Sequence, residues 1–451
     1  MAVIGLGASG EAAARLAVEQ GGDVYVSDSR TDDAVAARGA DLGDAGIAVE
    51  LGGHDLERMA DADLVVTSPG IPPHAPVLRG LTERGVTWIA EPELASRFFR
   101  GALIAVTGTN GKTTTTLLVD HLLRASGIRS AAGGNVGGGL APPASDLARL
   151  DPQPDWVVLE MSSFQLADVQ TFQPDIGVVT NLSPDHLDRY ESVDAYYADK
   201  ARIFDNATGD SRWVLPFGDD AVSALAGGVA GRRYTFGVDA EADAFVHDGT
   251  LMLRTDGEIE EVLPRSELPL LGQHNVVNAL TAVLTARLAG AAIGGITAGL
   301  GTARALPHRL DPVHEAGGVL WINDSKATNV AAARSAVASI DRPVILLLGG
   351  KDKGEAFGSL ARDFAGRVRH VLVYGEVAER AESEIWAALS SGAGTAVERG
   401  GDGLDHVVAR AAALAQPGDA VLLAPACSSF DQYENYEARG RHFIDLARGV
   451  A

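Results

Sequence analysis

Short apolar runs alternate along nearly the whole chain with stretches whose apolar positions recur every three or four residues. This predicts strands alternating with helices in parallel α/β layers. The pattern falls into three blocks. Residues 1–99 place strands at 2–6, 24–27 and 64–67. Residues 100–306 open on a strand at Leu103 and continue through DWVVLE, ending at Glu160, IGVVTN, ending at Asn181, and a helical stripe over 274–288. Inside this block, residues 234–263 read as short strands cut by Gly and Asp turns, so an antiparallel addition is expected. Residues 307–451 carry strands at 319–323, 344–348, 371–374 and 420–423. The Gly and Pro cluster over 133–143 is loop material.

The junction between the first strand and first helix of the second block reads LIAVTGTNGKTTTT, residues 103–116. Backbone N–H groups of Gly108, Thr109, Asn110, Gly111 and Lys112 can converge there on phosphate oxygens. The helix begun at Lys112 turns its positive end toward them, and the lysine adds a full charge. Thr113 would set a hydroxyl on an accompanying magnesium ion. The usual G-x-x-x-x-G-K-[ST] pattern needs Gly where Val106 stands, so only its second half is present. ATP is the expected ligand; a tight strand-to-helix turn without ligand is the alternative.

Charge narrows the partners. Lys+Arg number 37 and Asp+Glu 60 in 451 residues, a net charge of -23, which disfavours nucleic acid and anionic membrane. Any phosphate must then be held by local loops. The only cysteine, Cys427, excludes an internal disulfide and a Cys-built zinc site, and fits a reducing cytoplasm. It reads as a small buried residue, since no base lies in its motif. No apolar run approaches the roughly 18 residues needed to span a bilayer, so a soluble cytosolic protein is expected.

In the first block Gly5, Gly7 and Gly10 form G-x-G-x-x-G after a strand, and Asp28 ends the next strand. Alone, this suggests a dinucleotide site. The glycines certify only close backbone approach to a diphosphate, which a nucleotide-sugar diphosphate also satisfies, and an empty tight turn stays open. Ser68-Pro69-Gly70-Ile71 forms a second turn at the carboxyl end of a strand, where open α/β sheets bind ligands.

Glu160 ends a buried strand before Ser162 and Ser163, which aims a hard oxygen ligand at the edge that carries the phosphate loop. His186, in NLSPDHLDRY, follows the strand that ends at Asn181; it is either a metal or substrate contact or an ordinary loop histidine. Lys200 interrupts the apolar stripe of Tyr196, Ile203 and Phe204. It either snorkels, with its stem covering the stripe, or is buried as a neutral, reactive amine. At strand ends of the third block stand Asp324, Lys326 and Thr328, Lys351, and Ser428 and Ser429. These suit an acidic small molecule and the far side of a nucleotide.

TGTNGKTTT, EMSSFQL, DHLDRY, DKARIF, GQHNVVNAL, PHRL, NDSKATN, GGKDKG and PACSSFDQ stand in this order and cover essentially the whole chain. Together they resemble the Mur ligases of peptidoglycan synthesis. NDSKATN and SSFQL are similar to the branch that adds D-glutamate to UDP-N-acetylmuramoyl-L-alanine. Alanine-adding, diamino-acid-adding and folylpolyglutamate relatives typically show a DYAH-type segment at NDSKA, and no DNPR-type motif for a diamino acid is present.

The resemblance implies three domains: a Rossmann-like UDP-substrate domain over 1–99, a central P-loop-type ATPase over 100–306, and a Rossmann-like amino-acid domain over 307–451. It places ATP on residues 108–114, Thr114 included, with Asn275 and Asn278 at adenine, Asp324 at ribose, and Arg309 and Lys326 beside them. Thr113 and Glu160 would hold a first magnesium ion, and His186 with a carbamylated Lys200 a second; manganese is an expected substitute. Lys112, Glu160, His186 and Lys200 form the implied catalytic set. Ser9, Asp28, Ser29, Arg30 and Gly70 would contact the UDP-sugar, with Asn135, Ser162 and Gln165 farther along it. Thr328, Lys351, Ser429 and Tyr436 would shape the D-glutamate pocket.

The resemblance further implies a cytoplasmic monomer that serves cell-wall biogenesis, cell shape and division. Two departures stand out. The chain begins almost inside its first strand, so fraying of that strand or an upstream start is expected, and Tyr436 stands where the family has Phe. An alanine- or diamino-acid-adding ligase, an NAD-dependent oxidoreductase and a nucleotide-gated binding protein are the competing readings. The oxidoreductase leaves the TGTNGKTT loop idle, and the binding protein has no need of Glu160, His186 and Lys200.

Overall fold

The computed structural model describes residues 1–186, 189–255, 257–364, 366–389 and 394–450. Leu187 and Asp188 of the DHLDRY motif lie outside the described residues. The chain forms two compact units, Met1–Glu267 with Val277–Thr302, and Leu268–Val276 with Ala303–Ala451.

The first unit holds two sheets. In its five-stranded parallel sheet, Ala2–Ile4 lies at the centre, between Tyr25–Asp28 and Val65–Thr67. The strand expected to fray is fully buried, because apolar neighbours cover both of its faces. In the nine-stranded sheet, Ala102–Thr107 is hydrogen-bonded to Trp156–Glu160 on one side and Ile176–Val179 on the other. The loop after it therefore leaves the sheet interior, flanked by the ends of both neighbours.

The antiparallel addition is narrower than the turns in the sequence suggest. Arg232–Phe236 follows the helix Asp220–Leu225 and pairs parallel to Arg212–Pro216, as a helical crossover requires. Only Ala244–His247, Thr250–Thr255 and Glu258–Pro264 run antiparallel to one another.

The first two blocks share one apolar core, in which Leu16, Val66 and Leu94 pack with Leu147, Leu159 and Phe172. The helix Glu91–Ser96 fastens them together. Glu93 accepts hydrogen bonds from the backbone N–H groups of Gln170, Thr171 and Phe172 and from the Thr171 hydroxyl. Glu91 accepts from the N–H of Ser145, and its burial pushes the carboxyl up to about 7.

The second unit has a six-stranded sheet built on parallel pairing of Val319–Asn323, Ala420–Leu423, Val344–Gly349 and Val368–Tyr374, with Asp311–Ala316 antiparallel at one edge. The helix Tyr436–Arg448 is capped by Asn435, whose side chain accepts from the N–H of Ala438. Among the described residues no helix is long and apolar enough to cross a membrane.

Candidate active site

The phosphate loop needs both of its glycines. Gly108 and Gly111 have φ of +134° and +82°, and a Cβ on them would fall 2.0 Å from the Thr180 hydroxyl and 2.4 Å from the Asn278 amide oxygen. The strand expected to run to Asn181 stops at Val179, which frees the next two residues to brace this loop. Thr180 donates its hydroxyl to the Asn110 carbonyl at 2.7 Å. The Asn181 carbonyl accepts from Thr109 N–H at 2.9 Å, and its side-chain oxygen accepts from Asn110 N–H at 3.0 Å. Two N–H groups expected to face phosphate are thus committed to Asn181. Gly111, Lys112, Thr113 and Thr114, at the amino end of the helix Lys112–Ala125, present those that remain. Lys112 folds back, its ammonium 2.9 Å from the Thr109 carbonyl.

Register puts Glu160 opposite Val106, two residues before Gly108. The carboxylate is 3% exposed; Oε1 accepts from the Asn135 amide at 3.1 Å, while Oε2 is buried with no hydrogen-bond partner among the described residues. A desolvated anionic oxygen in this state is costly unless a cation meets it, and oxygen donors are what magnesium takes. Among the described residues no three His, Cys, Asp or Glu side chains gather as a metal cage. That suits magnesium, which takes one or two carboxylates and completes its shell with water and phosphate.

Lys200 lies on the helix Val193–Ala201 and is 2% exposed, so it does not snorkel. Its Nζ donates to the Gly108 carbonyl at 2.7 Å and lies 4.7 Å from the centre of the Tyr196 ring. Burial, with the Lys112 charge adding to it, pulls the amine down to about 7 against the opposing pull of Asp185, Glu160 and Asp199. A substantial neutral fraction is then present at physiological pH. His186 adopts φ +54° on the neighbouring loop, a strained backbone state for a residue with a side chain. Its ring lies 5.1 Å from Phe164 and 6.0 Å from Tyr196, and is 46% exposed. The Tyr196 hydroxyl in turn lies 3.3 Å from that of Thr109.

In the first sheet, Gly7 caps the helix Ala8–Glu19, and a Cβ there would meet nothing, so the mouth of this turn is open. Gly10 is different: its Cβ would fall 1.9 Å from the Gly5 carbonyl, which makes it a packing requirement. Ser9 is half-buried in the first turn of that helix, and Ser29 is exposed. Ser68 donates its hydroxyl to the Gly5 carbonyl at 2.9 Å, fastening the turn that carries Gly70 to the first loop. Asp28 is occupied by protein donors: the N–H groups of Leu6 and Arg30 and the Arg30 guanidinium hold it, at about 2. It positions both loops rather than offering a bare carboxylate. Ser162 and Gln165 form a reciprocal cap on the helix Ser163–Ala167.

In the second unit Asn275 is buried and donates its amide to the Leu271 carbonyl at 2.8 Å. Asp324 accepts from Leu310 N–H at 3.2 Å, and burial raises its carboxyl to about 6 against the charges of Arg309 and Lys326. Lys326 places its ammonium 5.7 Å from the Tyr436 ring, so the tyrosine replacing Phe keeps an aromatic face there. The Thr328 carbonyl accepts from Lys353 at 2.8 Å. Lys351 is bridged by its N–H to the Ser428 carbonyl, one residue before the buried Ser429, and its ammonium lies 3.7 Å from Glu376.

Three family models match in order: Mur ligase MurD-like, N-terminal domain, over 1–90; Mur ligase middle domain, over 106–286; and Mur ligase, glutamate ligase domain, over 308–427. The chain belongs to the Mur ligase family. A UDP-N-acetylmuramoylalanine--D-glutamate ligase of Acidobacterium capsulatum is 44% identical, covering 100% of this chain and 96% of that one. One of the same name from Salinibacter ruber is 40% identical over 98% and 96%. The crystal structure of the Thermotoga maritima UDP-N-acetylmuramate-alanine ligase MurC superposes with a TM-score of 0.60 at 18% identity, covering 100% of this chain and 99% of that one, a likeness of fold.

Arg439 of this Mur ligase escaped the sequence analysis. It is 1% exposed, and its guanidinium donates to the Ser325 hydroxyl and carbonyl and to the carbonyls of Cys427 and Ser428. It ties the NDSKATN segment to the PACSS segment. Its position three residues after Tyr436, on the same helix face, was the available signal.

Proposed function

We propose that this chain is an ATP-dependent, amide-bond-forming ligase (EC 6.3.2.9) that joins D-glutamate to UDP-N-acetylmuramoyl-L-alanine in peptidoglycan precursor synthesis. Full-length similarity to relatives bearing that name carries the reading. The buried, unpartnered Glu160 oxygen beside a glycine-braced phosphate loop supports it.

The substrate's terminal carboxylate attacks the γ-phosphorus of ATP, and ADP leaves. The amine of D-glutamate then adds to the acyl phosphate, and the tetrahedral adduct loses a proton and expels phosphate. Two anions must first be brought together. Lys112 and the N–H groups at the head of its helix take up the phosphate charge and fix its line of approach, which is positioning and electrostatic stabilisation. Thr113 and Glu160 would hold one magnesium or manganese ion, and His186 with Lys200, as its carbamate, the other. Bound there, the metal screens the carboxylate from the phosphoryl group.

The segments divide the substrates. Residues 1–99 take the UDP-sugar through Ser9, Asp28, Ser29, Arg30 and Gly70, with Asn135, Ser162 and Gln165 beyond. Residues 100–306 take ATP, joined by Asn275, Asn278, Arg309, Asp324 and Lys326. Residues 307–451 take D-glutamate through Thr328, Lys351, Ser429 and Tyr436. The protein acts as a monomer in the cytoplasm, without nucleic acid or membrane insertion, in keeping with its net charge of -23. A coupled assay of phosphate release tests the reading: turnover should require ATP, magnesium, the UDP-muramoyl substrate and D-glutamate together. Release that persists without any one of them contradicts it.

A further inference from the structure

A cavity of about 160 Å³ lies within the first unit, between the turn at Ser68–Ile71 and the helix Ser163–Ala167. Its walls are of three chemical kinds. Ile71, Pro73, Leu78, Trp88 and Phe164 make an apolar face. Gln165 supplies a donor: the residue is 1% exposed, and its Nε2 is buried with no hydrogen-bond partner among the described residues. The amide cannot be reversed, because its oxygen accepts from the N–H of Ser162 at 3.0 Å and a reversed amide would set two donors against each other. Asp168 supplies an acceptor, held by the Thr67 hydroxyl 3.4 Å away.

A fixed donor, a carboxylate acceptor and an apolar face together complement a secondary amide that bears a small alkyl group. An anionic ligand is disfavoured, since Asp168 and Asp199 both line the space. The one cation in the wall, Arg189, is engaged, its guanidinium stacked 3.8 Å from the Phe164 ring centre and donating to the Ile71 carbonyl at 3.3 Å. The cavity also lies between Gly70 and Gln165, where the ligase reading runs the sugar of its substrate.

We propose that this cavity is the subsite for the N-acetyl group of the amino sugar, with Gln165 Nε2 donating to the acetyl carbonyl, Asp168 accepting the amide N–H, and the apolar face covering the methyl. The assignment rests on the ligase reading. A site built to hydrogen-bond a substrate group discriminates strongly against an analogue that lacks it, because the buried polar groups are then left unpaired.

The test compares steady-state kinetics on UDP-N-acetylmuramoyl-L-alanine with those on an analogue carrying a hydroxyl in place of the acetamido group. In the wild type the analogue should lose roughly tenfold or more in kcat/KM, mostly through KM. Gln165→Glu keeps the helix-capping oxygen and replaces the donor by an acceptor. It should lower kcat/KM on the acetylated substrate by about tenfold while changing the analogue by less than about twofold, with KM for ATP unmoved. Ile71→Ala, a change at a partly exposed wall residue, should show the same selectivity at smaller size. Equal turnover of both substrates by the wild type overturns the subsite. So does an equal loss on both substrates in Gln165→Glu, which would leave Gln165 as a helix cap alone. Failure of the wild type to turn over either substrate would instead remove the ligase reading beneath it.

Discussion

The ammonium of Lys200 is hydrogen-bonded at 2.7 Å to the carbonyl oxygen of Gly108, so a buried lysine is fastened to the backbone of the phosphate loop. The contact joins two motifs 92 residues apart. It leaves the amine shielded from water, pulled down to about 7 and open to addition of carbon dioxide in its neutral form.

Lys200→Ala should therefore lose most of the activity while the protein stays folded, with partial rescue by a small added carboxylate that fills the vacant ligand position. Lys200→Arg should fail as well, since guanidinium keeps its charge and cannot form a carbamate. Near-normal turnover by Lys200→Arg would refute the carbamate.

Glu160→Gln replaces the unpartnered Oε2 by either an amide nitrogen or a weaker neutral oxygen. The magnesium concentration for half-maximal activity should rise by about tenfold or more, on the scale of losing one charged ligand contact. An unchanged magnesium dependence would remove Glu160 from the metal site.

Asp28→Ala releases the N–H of Leu6 and the guanidinium of Arg30 together. KM for the UDP-sugar substrate should rise while ATP affinity, set by a loop on the other sheet, stays within about twofold. Comparable losses of both would mean that the two sheets do not bind their ligands independently.

Glu91 gives stability a pH dependence. Its folded pKa of about 7 lies above the ordinary 4.5, so the folded state favours the protonated form. Its stabilising contribution is complete below 4.5 and is lost as pH rises through about 7. Denaturant unfolding should show stability falling between those pH values, by up to about 3 kcal/mol from this group. Glu91→Gln should flatten that fall; an unaltered slope would assign the dependence to other groups.

Much of this was legible in the chain because it depends on local pattern. Alternating apolar runs marked the three sheets, and the stripe of Tyr196, Ile203 and Phe204 marked Lys200 as buried. Gly108 and Gly111 marked a loop that tolerates no Cβ. What stayed hidden depends on partners distant in sequence. In EPELAS, Glu91 and Glu93 look like solvated helix acids, and only the chain at 145 and 170–172 makes them clamps between blocks. Asp28 looked available until Leu6 and Arg30 were seen to occupy it. Arg439 sits in YEARGRHF, where a charged helix residue ordinarily faces water, and only the carbonyls of Cys427 and Ser428 account for its burial.

The choice of amino acid tests the central claim most directly. With ATP, magnesium and UDP-N-acetylmuramoyl-L-alanine held saturating, D-glutamate, L-alanine, L-lysine and meso-diaminopimelate are supplied in turn, and the nucleotide product is weighed by mass spectrometry. Lys351 offers a cation, and Thr328 and Ser429 offer hydroxyls, to a second carboxylate. The account therefore predicts a single product, heavier by one glutamyl residue, from D-glutamate. Equal turnover with L-lysine or meso-diaminopimelate would contradict it.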